Sequence, residues 1–149
     1  MQPDGPTWVI KSVGKVSELS SKVMNLLKHD DMSYYCGIAH TRRATHGGVT
    51  EENAHPHFDN GNMFFVVHNG IIENYQELKA GLIQDGVKFY SDTDTEIIPN
   101  LLAKYWNGNL LETVEKVLPK LHGAFALLIM SSYVPGQMIG VKVGSPLVF

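Results

Sequence analysis

The sequence contains a single cysteine, Cys36, which excludes an internal disulfide framework. It also lacks an apolar run long enough to span a bilayer, and its first residues lack the basic-then-apolar order of a signal peptide. Basic residues are slightly outnumbered by acidic ones, so the formal net charge is -3 and no broad basic field favours nucleic acid. We therefore expect a cytosolic protein that has neither a membrane nor a nucleic acid as its partner.

What is present is the composition of one ordinary globular domain: 149 residues, of which 44% are hydrophobic and 18% charged. Apolar periodicity and turn residues predict a mixed order of elements. Helices are predicted over 16–27, 74–85, 96–105 and 110–118, and strands over 8–12, 34–40, 63–68, 87–90, 124–130 and 138–143, with a further strand starting at 147. Such an order predicts helices stacked on antiparallel-rich sheets, an α+β fold.

A polar loop follows the predicted strand 34–40. The segment 37–47 reads Gly-Ile-Ala-His-Thr-Arg-Arg-Ala-Thr-His-Gly and carries two guanidinium groups. Because a guanidinium matches a carboxylate or phosphate with two parallel hydrogen bonds, Arg42 or Arg43 could clamp a small anion. A solvated surface loop with counter-ion pairs is the alternative.

Histidines are concentrated just beyond this loop. Five of the seven lie within residues 40–68: His40, His46, His55, His57 and His68. Imidazole is a common metal ligand, but no nearby carboxylate completes a recognisable ligand spacing. We therefore expect no metal, and expect these side chains to donate hydrogen bonds to backbone carbonyls in a polar cleft.

Three further positions could carry chemistry. Cys36 is a candidate nucleophile, but a lone cysteine within a strand usually packs as a small apolar group, and we favour that role. Asn69 and Gly70, at the end of an apolar strand, offer an amide side chain and a bare backbone amide that could stabilise an oxyanion, or could form a plain turn. Asp94 precedes an apolar periodic run, where an aspartate most often caps a helix.

Taken together, these motifs resemble the glutaminase domain of glutamine-fructose-6-phosphate aminotransferases, class II glutamine amidotransferases of the N-terminal nucleophile hydrolase type. The resemblance covers nearly the whole chain. It rests on residues 37–47, on Asn-Ala-His-Pro-His at 53–57, on Val-His-Asn-Gly-Ile-Ile-Glu-Asn at 67–74, on 91–96, on Gly-Ala-Phe-Ala at 123–126 and on Gly-Ser-Pro-Leu at 144–147.

The resemblance implies an αββα four-layer sandwich and the hydrolysis of L-glutamine to glutamate and ammonia. It implies no cofactor, and a sugar-phosphate isomerase domain that uses the ammonia in the full-length enzyme. By the same resemblance, Arg42 would hold the α-carboxylate of glutamine, and Asp94 would hold its α-ammonium. Thr45 and His46 would line the same end of the pocket. Asn69 and Gly70 would form the oxyanion hole.

Two departures from the family pattern stand out. The family nucleophile is a cysteine at the mature N-terminus, whereas this chain opens Met-Gln-Pro and Cys36 lies inside it. We therefore expect residues 1–149 to be a partial domain that lacks the nucleophile strand and its C-terminal part, and to release no ammonia from glutamine alone. Arg43 stands where the family usually has a tryptophan on a flap over the pocket, and an arginine there would exclude water less well.

Two other functions remain open from the sequence. One is a non-catalytic glutamine-binding or assembly module that uses Arg42 and Asp94, and the other is a metal-dependent hydrolase that uses the histidines. An incomplete sheet would also expose apolar surface and an unpaired edge, so we expect a homodimer.

Overall fold

One antiparallel sheet organises the computed structural model, which describes residues 7–27, 36–41 and 48–144. The strands are β1 (His57–Phe58), β2 (Phe64–Gly70), β3 (Phe125–Ser131) and β4 (Met138–Val143). The helices are α1 (Val16–Leu27), α2 (Tyr75–Gln84), α3 (Ile97–Tyr105) and α4 (Leu110–Val117), and a 3-10 turn spans Leu118–Lys120. The α+β class expected from the sequence is confirmed.

The strands follow one another in the order β1-β2-β3-β4, each antiparallel to the next. In the centre of the sheet, Val66 of β2 pairs with His57 of β1 on one side and with Ile129 of β3 on the other. The buried pattern of β2 and β3 explains their apolar sequences, because a central strand covered on both faces has no position for a solvated side chain. At the edge, β4 is largely exposed.

Helices α2, α3 and α4 cover one face of the sheet. Side chains alternate along a strand, so Phe64 and Val66 of β2 enter the same core as Leu127 of β3. The apolar sides of α3 and α4 complete this core with Ile97, Ile98, Leu101, Leu102, Leu110, Val114 and Val117. Each of these side chains, buried fully, contributes roughly 1.5–3 kcal/mol. The core therefore fixes the end of β2 relative to the start of α3.

The opposite face of the sheet is covered by the N-terminal part of the chain. Phe65 and Met130 form a second apolar cluster there with Val9, Cys36 and Ile38. The strands expected over 8–12 and, within its described part, over 34–40 are wrong, because residues 8–12 and 36–40 form no regular strand. Alternating side chains predict burial on one face, whereas a strand also needs a hydrogen-bonded neighbour.

The predicted helices are confirmed with small shifts at their ends. The bounds of α1 match the predicted helix 16–27. Pro99 lies in the first turn of α3, where a proline removes no intrahelical hydrogen bond, so the helix begins at Ile97 without a break. Gly86 follows α2 with a φ of 88°, the left-handed conformation that glycine commonly adopts after a helix.

The strand predicted over 87–90 is wrong. The side chain of Asn60 makes two hydrogen bonds with the backbone of Lys88: its Oδ1 accepts from Lys88 N at 2.8 Å, and its Nδ2 donates to Lys88 O at 2.8 Å. Glu96 in turn accepts from Tyr90 N at 3.0 Å. Side chains thus replace the neighbouring strand that the sequence pattern had implied. Within the described ranges, no helix is both long and apolar enough to cross a membrane.

Candidate functional site

Asn69 and Gly70 end strand β2 and are both exposed, unlike the buried residues before them. Gly70 has a φ of 125°, and a Cβ built on it would lie 2.2 Å from the carbonyl oxygen of Ala124. Only glycine fits this backbone, because any side chain would meet the start of β3. The structure thus brings an amide side chain and an unobstructed backbone together at the end of a rigid central strand.

Asp94 lies against the segment that follows Gly70. It is 6% exposed, and its Oδ2 accepts a hydrogen bond from Ile72 N at 2.8 Å. It does not cap α3: the N-cap residue is Glu96, which makes no side-chain cap hydrogen bond. The helix-capping alternative for Asp94 is therefore not what the structure contains. Ile72 is the second residue after Gly70, so the aspartate and the end of β2 belong to one site.

His68 connects Asp94 to the interior. Its Nδ1 lies 2.8 Å from Thr95 Oγ1 and 3.9 Å from Asp94 Oδ1. Burial lowers the pKa of the His68 imidazole below its ordinary value; the Asp94 carboxylate opposes this shift, and His40 adds to it. At neutral pH the ring is consequently uncharged, and it leaves the negative charge of Asp94 uncompensated.

The charge of Asp94 has no cationic partner in the described part of the chain. Apart from His68, no lysine, arginine or histidine nitrogen of residues 7–27, 36–41 and 48–144 lies within 4.0 Å of its carboxylate. A buried carboxylate without a cation is costly, and it is stabilised by any ammonium or guanidinium group that reaches it. The site thus has a fixed anion suited to a positively charged group.

A row of imidazole rings lies behind the end of β2. The ring centroids of His40 and His55 are 4.5 Å apart, and those of His55 and His57 are 4.9 Å apart. Each ring has a polar partner: His40 Nε2 lies 2.8 Å from Asn69 Oδ1, His55 Nδ1 accepts from His68 N at 3.2 Å, and His57 Nε2 lies 3.1 Å from Thr93 Oγ1. These three partners are hydroxyl and amide groups, whereas we expected backbone carbonyls.

These partners bear on the metal alternative. His55 and His57, the pair that could have supplied two ligands, each use one ring nitrogen in the hydrogen bonds just described, Nδ1 of His55 and Nε2 of His57. No group of three or more histidine, cysteine, aspartate or glutamate side chains is arranged to hold a metal ion within the described residues.

Cys36 lies on the sheet face opposite the helices. Its Sγ is 3.7 Å from the Sδ of Met130, in the cluster that also contains Phe65. A thiol packed against a thioether and an aromatic ring behaves as a small apolar group. This placement agrees with the packing role that we favoured for Cys36 over a nucleophilic one.

Four residues of the predicted basic loop and pocket lie outside the described residues. They are Arg42, Arg43, Thr45 and His46. The roles expected for Arg42, Thr45 and His46 in substrate binding, and the effect of Arg43 on a flap, stay predictions. Thr41, immediately before them, is described and lines a cavity of about 180 Å³ together with His40 and His55.

Sequence reasoning assigned no individual role to His40 or His68. Both contact predicted site residues: His40 lies beside Asn69, and His68 lies beside Asp94. The one available sign was alternation along β2, which places His68 on the helix-covered face and Asn69 on the opposite face. That pattern predicts on which face of the sheet each side chain lies, but not its partner. His40 is 29 residues from Asn69 in the chain, and His68 is 26 residues from Asp94.

Comparison with known proteins gives a consistent picture. The sequence profile described as "Glutamine amidotransferase domain" matches residues 40–138. A glutamine-fructose-6-phosphate aminotransferase (isomerizing) from Aquifex aeolicus is 52% identical over 145 residues, which cover 97% of this chain and 24% of that protein. The protein of the same name from Symbiobacterium thermophilum is 45% identical over 144 residues, which cover 97% of this chain and 23% of that protein. The chain spans about a quarter of the length of these curated relatives.

Solved structures are similar over a smaller part of the chain. The glutamine phosphoribosylpyrophosphate amidotransferase from B. subtilis, complexed with ADP and GMP, superposes with a TM-score of 0.53 and is 31% identical, covering 62% of this chain and 20% of that one. A structure described as the allosteric regulatory enzyme of purine biosynthesis has a TM-score of 0.50 at 31% identity, covering 57% of this chain and 19% of its own. These similarities confirm the fold type that the sequence resemblance implied.

Proposed function

Because this chain belongs to the glutamine amidotransferase domain family, as the match over residues 40–138 shows, we propose that it binds L-glutamine at the end of β2. The α-ammonium of glutamine contacts Asp94, and its γ-carboxamide oxygen faces Asn69 and Gly70. The observation that carries this proposal is the buried Asp94 carboxylate, which lies against the segment after Gly70 and has no cation among the described residues.

The proposed contacts suit the chemistry of amide hydrolysis. When a nucleophile attacks the γ-carboxamide, negative charge develops on its oxygen, and two fixed donors aimed at that oxygen stabilise the transition state. Asn69 supplies its side-chain NH₂ and Gly70 its backbone N–H. Addition of water across the C–N bond then yields glutamate and ammonia.

Recognition of the free amino acid requires both charges of its α-carbon to be held. Asp94 supplies the anion for the ammonium group, and Arg42 supplies the cation for the carboxylate through two parallel hydrogen bonds. Thr45 and His46 line the same end of the pocket. Arg42, Thr45 and His46 enter the proposal from the family resemblance alone. Asp94 enters it from the same resemblance and is supported in addition by its burial and hydrogen bonding.

We propose further that the full-length protein uses the ammonia to aminate fructose 6-phosphate. This step rests on the names of the relatives, of which the chain covers about a quarter, and it requires the sugar-phosphate isomerase domain that they imply. The homodimer and the cytosolic location stay predictions, as does the expectation that residues 1–149 alone release no ammonia. A coupled ammonia assay on the purified chain tests the last of these, and turnover would refute it.

Calorimetric titration with L-glutamine tests the binding proposal. We expect heat of binding with one site per chain, and its loss in Arg42→Ala. Lys116→Ala is the matched control, because Lys116 is an exposed cation on α4, which packs on the sheet face opposite the side chain of Asn69. Equal binding by the native chain and Arg42→Ala, or no binding by either, would refute the assignment.

The same titration with zinc separates the metal alternative. Tight zinc binding that disappears in His57→Ala, together with no response to glutamine, would support a metal-dependent function instead. Glutamine binding without turnover in the full-length protein would leave the non-catalytic glutamine-binding module as the function.

A further inference from the structure

His40 lies beside the proposed oxyanion donor Asn69. We propose that His40 is a positioning residue whose Nε2–H donates to Asn69 Oδ1 and so turns the amide NH₂ of Asn69 toward the substrate carbonyl. The distance between His40 Nε2 and Asn69 Oδ1 is 2.8 Å. This inference rests on the proposed function, because it matters only if Asn69 is a donor to glutamine.

The orientation of the Asn69 amide decides whether it helps or hinders. An amide group has a donor end and an acceptor end, and its terminal torsion is broad, so neither orientation is fixed by the rotamer itself. If Oδ1 faced the substrate, it would repel the developing oxyanion instead of stabilising it. A donor that holds Oδ1 on the opposite side therefore selects the productive orientation.

The state of the His40 ring agrees with a donor at Nε2. Asn69 Oδ1 is only an acceptor, so the proton of a neutral His40 must lie on Nε2. His40 Nδ1 is buried and has no hydrogen-bond partner among the described residues. A proton on this buried Nδ1 would lack an acceptor, whereas an unprotonated Nδ1 leaves only a lone pair there.

Packing fixes the ring in place. In the segment 36–41, Cys36 and Ile38 pack on the sheet face that carries Phe65. Asn69 is four residues after Phe65 in β2, so its side chain lies on that same face, where His40 meets it. The ring of His55, itself held by the hydrogen bond from His68 N, then packs against His40 at 4.5 Å between centroids.

The proposal predicts which substitutions preserve the orientation. His40→Gln keeps an N–H donor near the position of Nε2, whereas His40→Leu removes it and His40→Asn moves it to the position of Nδ1. The matched control is His122→Leu, which removes an exposed histidine three residues before β3. We expect the hydrogen bond from the Asn69 amide to the substrate carbonyl to be strongest in the native chain and in His40→Gln. It should be weaker in His40→Asn and His40→Leu.

Carbon-13 NMR of glutamine labelled at the γ-carboxamide, bound to the 149-residue chain, measures this contact without needing turnover. Donors at the carbonyl oxygen polarise it, so we expect a downfield shift on binding that persists in His40→Gln and His122→Leu and falls by at least half in His40→Leu. A long-range ¹H–¹⁵N spectrum of the ligand-free chain should show His40 protonated at Nε2.

The outcomes separate the inference from the proposed function. A full downfield shift in His40→Leu, or His40 protonated at Nδ1, overturns the positioning role while glutamine binding stands. Absence of glutamine binding, or an unchanged shift in Asn69→Ala, overturns the proposed function itself and the inference with it. If the backbone spectrum shows that His40→Leu is unfolded, the comparison of His40→Gln with His40→Asn decides, and equal shifts in those two overturn the inference.

Discussion

Replacing Gly70 by alanine should be among the most destabilising single-methyl additions in this chain. A Cβ at this position would lie 2.2 Å from Ala124 O and 2.7 Å from Phe125 Cα, and the residue has a φ of 125°. The strained backbone costs about 1–3 kcal/mol. Relief of the overlap requires β2 and β3 to separate by about 1 Å, which weakens the Ile71 N to Ala124 O hydrogen bond of 3.1 Å. We expect a total loss of about 3–5 kcal/mol.

Two other glycines separate the contributions. Gly86 also has a positive φ, 88°, but open space around its Cβ position, so Gly86→Ala should cost only the conformational strain of about 1–2 kcal/mol. Gly81 lies within α2 in open space, so Gly81→Ala should stabilise the chain by about 0.5–1 kcal/mol. Urea unfolding of the three variants measures each difference. A loss in Gly70→Ala no greater than that in Gly86→Ala would refute the close approach of the two strands.

Three further predictions concern stability. The pKa of His68 is lowered in the folded chain, so on acidification His68 is protonated at a higher pH in the unfolded chain than in the folded one. The free energy of unfolding should therefore fall as the pH drops below about 6.5, by at most about 1.4 kcal/mol per pH unit. Urea titrations at several pH values should show a smaller fall for His68→Gln. Asp59→Ala should cost about 2–4 kcal/mol in urea unfolding, because its buried carboxylate accepts from the backbone amides of Gly61, Met63 and Phe64 at 2.7–2.9 Å. Asn109→Ala should cost about 1 kcal/mol by thermal unfolding, because Asn109 Oδ1 caps α4 by accepting from Glu112 N; Asn109→Ser should recover most of it.

Local patterns were sufficient for much of the fold. The spacing of apolar residues predicted α1, and the continuous apolar run predicted β2. These features depend on residues that are only a few positions apart in the sequence. The strand expected over 87–90 failed because its partners, Asn60 and Glu96, are side chains that no alternation pattern can identify.

The site depends on contacts that are distant in sequence. Asn69 and Gly70 were identified from their position after an apolar strand, but the contact of Asp94 with Ile72 spans 22 residues. The contact between His40 and Asn69 spans 29 residues and crosses from an irregular segment to a strand. No periodicity encodes such pairs; they follow from the packing of the sheet between α3 and the N-terminal part of the chain. The contribution of Arg42 stays a prediction from the family resemblance.

The central claim is that Asp94 holds the α-ammonium of glutamine. Asp94→Asn preserves shape and an oxygen acceptor for Ile72 N but removes the charge. Calorimetry should therefore show that Asp94→Asn weakens glutamine binding about ten- to hundredfold, since a charged hydrogen bond contributes about 1.5–3 kcal/mol. Binding of glutaramic acid, which is glutamine without its α-amino group, should be the same for both proteins. If Asp94→Asn weakened the binding of glutamine and of glutaramic acid equally, or weakened neither, the result would contradict the account.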